Sequence, residues 1–175
     1  GLIMYINEPS VIVGVNQNVF AEVNVPYLAE NNITLVRRTS GGGSVYHDMG
    51  NLIFENIVVG DTDDDAEWGN YSVFAQPILA ALHELGATDA QLRGNSDLVV
   101  NDHKFTGMTM VKSGNAYAAG GTLMFDMDLA AASQALKPVE THINGKWVKS
   151  NRSDIENIKT HLAPEYQQLT SEQFK

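Results

Sequence analysis

The chain contains no cysteine. Disulfides, thiolate metal sites and a cysteine nucleophile are thereby excluded together, and the absence fits a reducing, cytoplasmic setting. Positive charge is scarce where a nucleic-acid partner would need it dense. Residues 1–100 hold thirteen acids against three bases, and the 175-residue chain has a formal net charge of −10. A polyanion partner is therefore not expected. No apolar run is long enough to span a bilayer. The opening stretch GLIMYINEPSVIVGV is interrupted by Asn7, Glu8 and Pro9 and has no basic leader, so it does not read as a signal peptide, and no membrane partner is expected. Position 1 is glycine, as expected of a piece of a longer protein.

The composition is 43% apolar, enough for one ordinary core in one domain. PSVIVGVNQN reads as a short buried strand ending in a polar turn, VPYLAENN as a short helical turn, ITLVRR as a second strand and NLIFENIVV as a third. GDTDDDAEW follows as a turn with caps. Trp68, Tyr71, Phe74, Ile78, Leu82 and Leu85 then recur at helical spacing. Asp64 or Asp65 is the N-cap candidate, Gly86 the stop, and Pro77 is expected to kink or split this helix. The acid run reads as capping and solvation rather than metal binding. Residues 97–128 read as a meander of three strands, with turns at Asn101–Asp102 and Gly114–Asn115. Asp128 caps a short helix, LAAASQAL, that stops at Pro138. SDIENIKTHL is expected to form a further helix capped by Ser153 or Asp154. Strands and helices do not alternate strictly, so the expected class is α+β.

Two of the three bases in the acidic half, Arg37 and Arg38, stand beside three consecutive glycines in VRRTSGGGSVYHDMGN. Glycine lets the backbone approach a ligand closely, and successive N–H groups can form an anion-binding concavity. Guanidinium groups beside it add bidentate donors. The stretch reads as a cradle for phosphate or carboxylate; the plainer reading is a glycine hairpin with solvated arginines. It matches neither GxxxxGK[ST] nor GxGxxG. His47 and Asp48 are neighbours on a strand and would point to opposite faces, so each is expected to bond to the loop or its surroundings rather than to the other. No zinc pattern is present and no resident metal is expected. Lys104 follows a tight turn. It reads either as a solvated lysine or as a fixed cation aimed at a phosphoryl group.

RRTSGGGSVYHDMGNL closely resembles the signature RRxSGGGxVxHDxGN of lipoate–protein ligases. SDLVVNDHKFTG is similar to DLxxxGxKxSG, GGTLMFDMDL to HGTLLxDxDL, VKSNRSDIENI to KSVRSRVxNI, and PSVIVGVNQNVFAEVN to PxVVIGRxQNxxxEVN. The resemblance runs in order along nearly the whole chain. It implies an α+β fold with a mixed, largely antiparallel sheet and packed helices, shared with biotin–protein ligases. On this reading residues 1–175 are a biotin/lipoate–protein ligase-type catalytic domain, and the family's N-terminal segment and C-terminal accessory domain lie outside it.

The same resemblance implies ATP-dependent activation of lipoate, or octanoate, to an acyl-AMP, with Mg²⁺ accompanying ATP. The acyl group then passes to a lysine of an acceptor: the lipoyl domain of an oxoacid dehydrogenase complex, or the glycine cleavage H protein. Lys104 would be the catalytic lysine. Arg38, Gly43, Ser44, Val45, Tyr46 and Lys104 would line the ATP and acyl-adenylate site. Arg37, Ser40, Gly41, Gly42, His47, Asn51 and Thr106 would surround lipoate, whose tail requires an apolar tunnel. The match has gaps. KFTGMTMV stands where the family reads KxSGSAxR, and Gly120, Val15 and Asp154 replace a histidine, an arginine and a basic residue. An amidotransferase working through a cysteine thioester is excluded by composition. A lipoyltransferase using preformed lipoyl-AMP and a non-catalytic lipoate- or nucleotide-binding module are the alternatives.

Overall fold

The computed structural model describes residues 1–60, 69–139 and 143–175. In chain order its elements are β1 (Leu2–Tyr5), β2 (Ser10–Val13), α1 (Val19–Glu22), α2 (Val25–Glu30), β3 (Thr34–Arg37), β4 (Val45–His47), β5 (Asn51–Val59), α3 (Tyr71–Glu84), β6 (Gln91–Arg93), β7 (Asp97–Val100), β8 (His103–Ser113), β9 (Ala116–Met124), α4 (Leu129–Ala135), a 3-10 turn (Ile158–His161) and α5 (Ser171–Phe174). Six strands form one antiparallel sheet in the order β1-β5-β9-β8-β7-β6. Three form a second sheet, β3-β2-β4, in which β2 and β3 run parallel. The class is the expected one: α+β, mixed and largely antiparallel.

The two faces of the large sheet have different chemistry because side chains alternate across a strand. One face presents Leu52 and Phe54 from β5, Leu123 from β9, Met108 from β8, and Leu98 and Val100 from β7. They close on Phe74, Ala75, Leu79 and Leu82 of α3 to make the main core. By the register, the opposite face carries Ile53 and Glu55, Thr122 and Gly120, Gly107 and Thr109, and Asp97. The small sheet packs its own core, Val11, Val13 and Tyr46, with Leu28 of α2, Ala132 of α4, and Val23 and Met127 from the segments flanking α1 and α4.

Several local expectations hold for the reasons given. Asp128 Oδ1 accepts from Ala131 N at 2.9 Å, and α4 ends before Pro138. Asn101 and Asp102 both have positive φ in the β7–β8 turn, and Gly114 does so in the β8–β9 turn. Gly86 is the C′ residue of α3, with Ala87 N donating to Leu82 O at 2.9 Å.

Other expectations are corrected. Pro77 does not split α3, which is continuous from Tyr71 to Glu84. Val73, whose carbonyl Pro77 cannot serve, sits on the exposed side of the helix, where water can replace the missing donor. SDIENIKTHL is not a helix. Lys104 N donates to Asp154 O at 2.8 Å and Glu156 N donates to Lys104 O at 3.0 Å, so β8 holds this stretch extended and only Ile158–His161 turns. Neither Ser153 nor Asp154 caps it. β1, β4 and β6 are strands of three or four residues, too short to show a period. Trp68 and the cap candidates Asp64 and Asp65 lie outside the described residues.

Candidate active site

The glycine triplet runs between β3 and β4, and both arginines before it bind main chain. Arg38 Nη2 donates to Gly41 O and Gly43 O, each at 2.7 Å. Its Nε donates to Ser40 Oγ at 3.1 Å and its Nη1 to Ile12 O at 3.1 Å. Arg37 Nη1 donates to Gly14 O at 2.7 Å and Gln17 O at 2.9 Å. Arg38 fixes the glycine loop and Arg37 the turn that follows β2, and each brings a positive charge with it. Burial lowers the Arg38 pKa from its ordinary value. Gly42 has φ +93°, which favours glycine, and its carbonyl lies where a Cβ on Gly14 would stand. Thr109 Oγ1 donates to Gly41 O at 3.4 Å, so the loop lies over the β8 face that carries Gly107 and Thr109.

The peptide joining Gly43 and Ser44 is held at both ends. Its carbonyl accepts from Arg38, and its N–H donates to Ser150 Oγ at 2.9 Å. Among the described residues no hydrogen bond is formed by the amides of Gly41, Gly42 and Gly43. These three N–H groups are the loop's remaining anion donors.

Lys104 reaches the same sheet face through a β-bulge. Leu98 and Val99 are consecutive on β7, yet they pair with Thr106 and Lys104 on β8, so Phe105 is the extra residue. Phe105 and Thr106 are both fully buried, and Phe105 joins the α3-backed core. Strict alternation would also have turned Lys104 into that core; the bulge returns it to the face of Asp97 and Gly107. Its Nζ lies 2.7 Å from Asp97 Oδ1, and 2.9 Å from the point where a Cβ on Gly107 would sit. The Lys104 side chain is only 21% exposed. The ammonium is therefore not a solvated tail.

His47 spans the two sheets. Asn7 Nδ2 donates to its Nδ1 at 3.2 Å, which leaves Nε2 as the protonated nitrogen, 3.0 Å from Thr122 Oγ1. Burial, with a smaller contribution from the Arg38 charge, holds its pKa down to about 4, so the ring is neutral at neutral pH. Asp48 accepts from Gly50 N at 2.8 Å and Asp128 N at 2.9 Å, serving the β4–β5 turn and α4 rather than His47. Burial first, then Asp48 and Asp128, pushes the Tyr46 pKa up to about 12. Asn51 Nδ2 donates to Tyr46 O at 2.8 Å and so closes the same turn. Val45 pairs with Ile12 inside the small sheet. Thr106 stands apart from the other site candidates. Its register places it on the core face opposite Gly107, fully buried, with no partner for its hydroxyl among the described residues.

Gln17, Glu22 and Ser150 carry the loop's outer contacts, yet the sequence reading gave them no role. Gln17 Oε1 accepts from Gly14 N at 3.0 Å and Ser44 Oγ at 2.8 Å, and its Nε2 donates to Ser150 Oγ at 3.0 Å. Glu22, on the four-residue α1, accepts from Ser150 N at 3.2 Å. Their signal was present in QNVFAEVN and VKSNRSD, but only as letters matching a pattern. Clefts of about 450 and 300 Å³ lie along this outer side, lined by residues such as Asn16, Trp147 and Lys149, and neither includes Lys104. They are less relevant to the chemistry than the sheet face beneath the loop. Among the described residues no group of three or more His, Asp or Glu side chains is placed to hold a metal ion. Nor is any helix among them long and apolar enough to cross a membrane.

The fold and much of the sequence recur in known proteins. The chain is 41% identical over 174 residues to the lipoate-protein ligase LplJ of Bacillus subtilis, covering 99% of this chain and 50% of that one. It spans about half the length of the relatives it matches. A crystal structure of lipoate-protein ligase A bound with ATP superposes with a TM-score of 0.74 at 26% identity, over 94% of this chain and 66% of the other. A bi-partite lipoate protein ligase of Thermoplasma acidophilum, from a study that includes its E2 lipoyl domain, gives 0.73 at 26% identity, over 94% and 65%. The model of the lipoyl protein ligase A/B catalytic domain matches residues 1–175, and the chain belongs to that family.

Proposed function

We propose that this chain carries the acyl-activating site of a lipoate–protein ligase. The observation that carries the reading is the bulge at Phe105, which puts the Lys104 ammonium on the sheet face that the glycine loop overlies. In the first step a lipoate or octanoate carboxylate attacks the α-phosphorus of ATP and pyrophosphate leaves. The acid is already ionised near neutral pH, so no general base is required. The obstacle is negative charge gathering at phosphorus. Lys104 and the amides of Gly41, Gly42 and Gly43 are the groups able to stabilise it. Mg²⁺ enters as a companion of the nucleotide.

In the ligand-free fold Lys104 is paired with Asp97 at 2.7 Å. Both side chains keep about a quarter of their surface in solvent, so the pair is worth only about 1 kcal/mol. A phosphate can draw the ammonium away at little cost. In the second step the amine of an acceptor lysine attacks the acyl carbonyl carbon, AMP leaves, and the amine proton passes to solvent. Lys104 again faces the developing charge. The acceptor is an apo lipoyl domain or glycine cleavage H protein. The small residues Gly107, Gly120 and Ala118 line the face along which an acyl tail would run.

Pyrophosphate release with ATP and lipoate tests the reading. The ligase releases it in proportion to acyl-AMP formed. A lipoyltransferase releases little but modifies its acceptor when supplied with lipoyl-AMP, and a binding module does neither. Lys104→Ala is expected to lower adenylate formation by roughly 10²–10³ while the fold survives. Normal turnover by that variant would refute the role given to Lys104.

A further inference from the structure

Ser150 is more than one hundred residues from the glycine loop in sequence, yet it terminates the loop's hydrogen bonding. Its hydroxyl accepts from Ser44 N at 2.9 Å and from Gln17 Nε2 at 3.0 Å. Its own N–H faces both carboxylate oxygens of Glu22, at 3.2 and 3.3 Å. Gln17 is 5% exposed and Glu22 7% exposed. A carboxylate removed from water on a one-turn helix needs a reason, because burial without a partner is costly. Among the described residues its partner is one main-chain N–H in an irregular stretch, and that same residue fixes a loop peptide.

We infer that Glu22 and Ser150 are positioning residues for the glycine loop. The inference rests on the ligase reading for its kinetic consequence and on geometry alone for the rest. Glu22 holds the Ser150 main chain, and the Ser150 hydroxyl holds the Ser44 amide. Arg38 holds the opposite end of the same peptide at Gly43 O. With that peptide unable to rotate, the amides of Gly41, Gly42 and Gly43 stay aligned before any anion arrives, which is what preorganised charge stabilisation requires. Neither residue touches a reacting atom. Gly43 is tied into the clasp as well: a Cβ on it would stand 3.0 Å from Ser150 Oγ, tight enough to disturb the contact.

Amide hydrogen exchange by NMR and steady-state pyrophosphate release test this on wild type, Ser150→Ala, Glu22→Ala, Glu22→Gln and the double alanine variant. In Ser150→Ala the Ser44 amide should exchange about tenfold faster, the fold-change of one lost hydrogen bond, while Val99 and Leu123 keep their protection. kcat for adenylate formation should fall about tenfold with KM for ATP within threefold, because the loss is in alignment rather than in ground-state contact. Glu22→Gln keeps an acceptor and should retain wild-type exchange at Ser44. The double alanine variant should exchange no faster than Ser150→Ala, since Glu22 acts through Ser150. Unchanged Ser44 exchange in Ser150→Ala, or additive effects in the double variant, would overturn the inference. If wild type releases no pyrophosphate but the exchange pattern holds, the clasp stands and the ligase reading falls.

Discussion

At the residue scale, the chemistry of the site depends on small groups making room for large charged ones. Gly107 is the clearest case. Its missing Cβ leaves the space in which the Lys104 ammonium sits. Gly107→Ala is expected to fold, because φ at this position is not positive, but the methyl would push Nζ out of place. Adenylate formation should fall by about tenfold or more, with little change in thermal midpoint; an equal loss of both would point to a folding defect instead. The two arginines were legible as a pair beside glycines, but not their role. Sequence cannot show that a guanidinium will face main-chain carbonyls rather than a ligand: Gly14 comes from the end of β2, and Gly41 and Gly43 meet Arg38 only through the fold of their own loop. Thr106 was grouped with the site because KFTG resembles the KxSG of the family signature, with Thr106 keeping the hydroxyl. A strand without a bulge would have put it and Lys104 on one face; the extra residue separated them.

At the element scale, long segments declared themselves and short ones did not. β5 has the bounds that NLIFENIVV suggested, and the meander of β7, β8 and β9 reverses at its two predicted turns. Here turn chemistry and apolar pattern agree, so local information suffices. The stretch 153–162 shows the opposite case. Its helical spacing is real, but pairing with the main chain of Lys104 outweighs a propensity worth tenths of a kcal/mol per residue. Pro77 tests how far α3 depends on packing rather than on its own hydrogen bonds. Pro77→Ala restores a donor inside an unbroken helix and is expected to stabilise the protein by about 1–2 kcal/mol, after allowing for the freer unfolded chain. A rise of a few degrees in thermal midpoint checks it. Phe105→Ala should do more harm, about 3–5 kcal/mol, since it empties the anchor of the bulge and a fully buried core position together. Chemical denaturation measures both.

At the scale of the whole molecule, the two sheets meet through a neutral imidazole. His47 belongs to β4, and its partner Thr122 belongs to β9. Its pKa of about 4 in the native state compares with about 6.5 in an unfolded chain. Above pH 6.5 neither state is protonated there, and this residue gives no slope. From pH 6.5 down to about 4 the unfolded chain takes up a proton that the native state refuses. Stability should then fall by up to about 3 kcal/mol, and by no more from this source below that range. Denaturation midpoints at pH 7, 5.5 and 4.5 should therefore converge between wild type and His47→Gln as pH falls. A constant gap between them would contradict the assignment. The fold class was readable from the order of elements, and the family from motifs spread along the chain. The pairing of the sheets was not, because it depends on which face each short strand presents.

The triple-glycine turn is shaped from outside. Arg38 reaches back to Ile12, Gly14 gives way to the Gly42 carbonyl, and Ser150 arrives from the far end of the chain. A synthetic peptide copied from residues 36–51 would spell the whole signature and still lack its conformation. Grafted onto a foreign hairpin, it would be flexible and blank. What can be transplanted is the set of distant clamps together with the letters they hold.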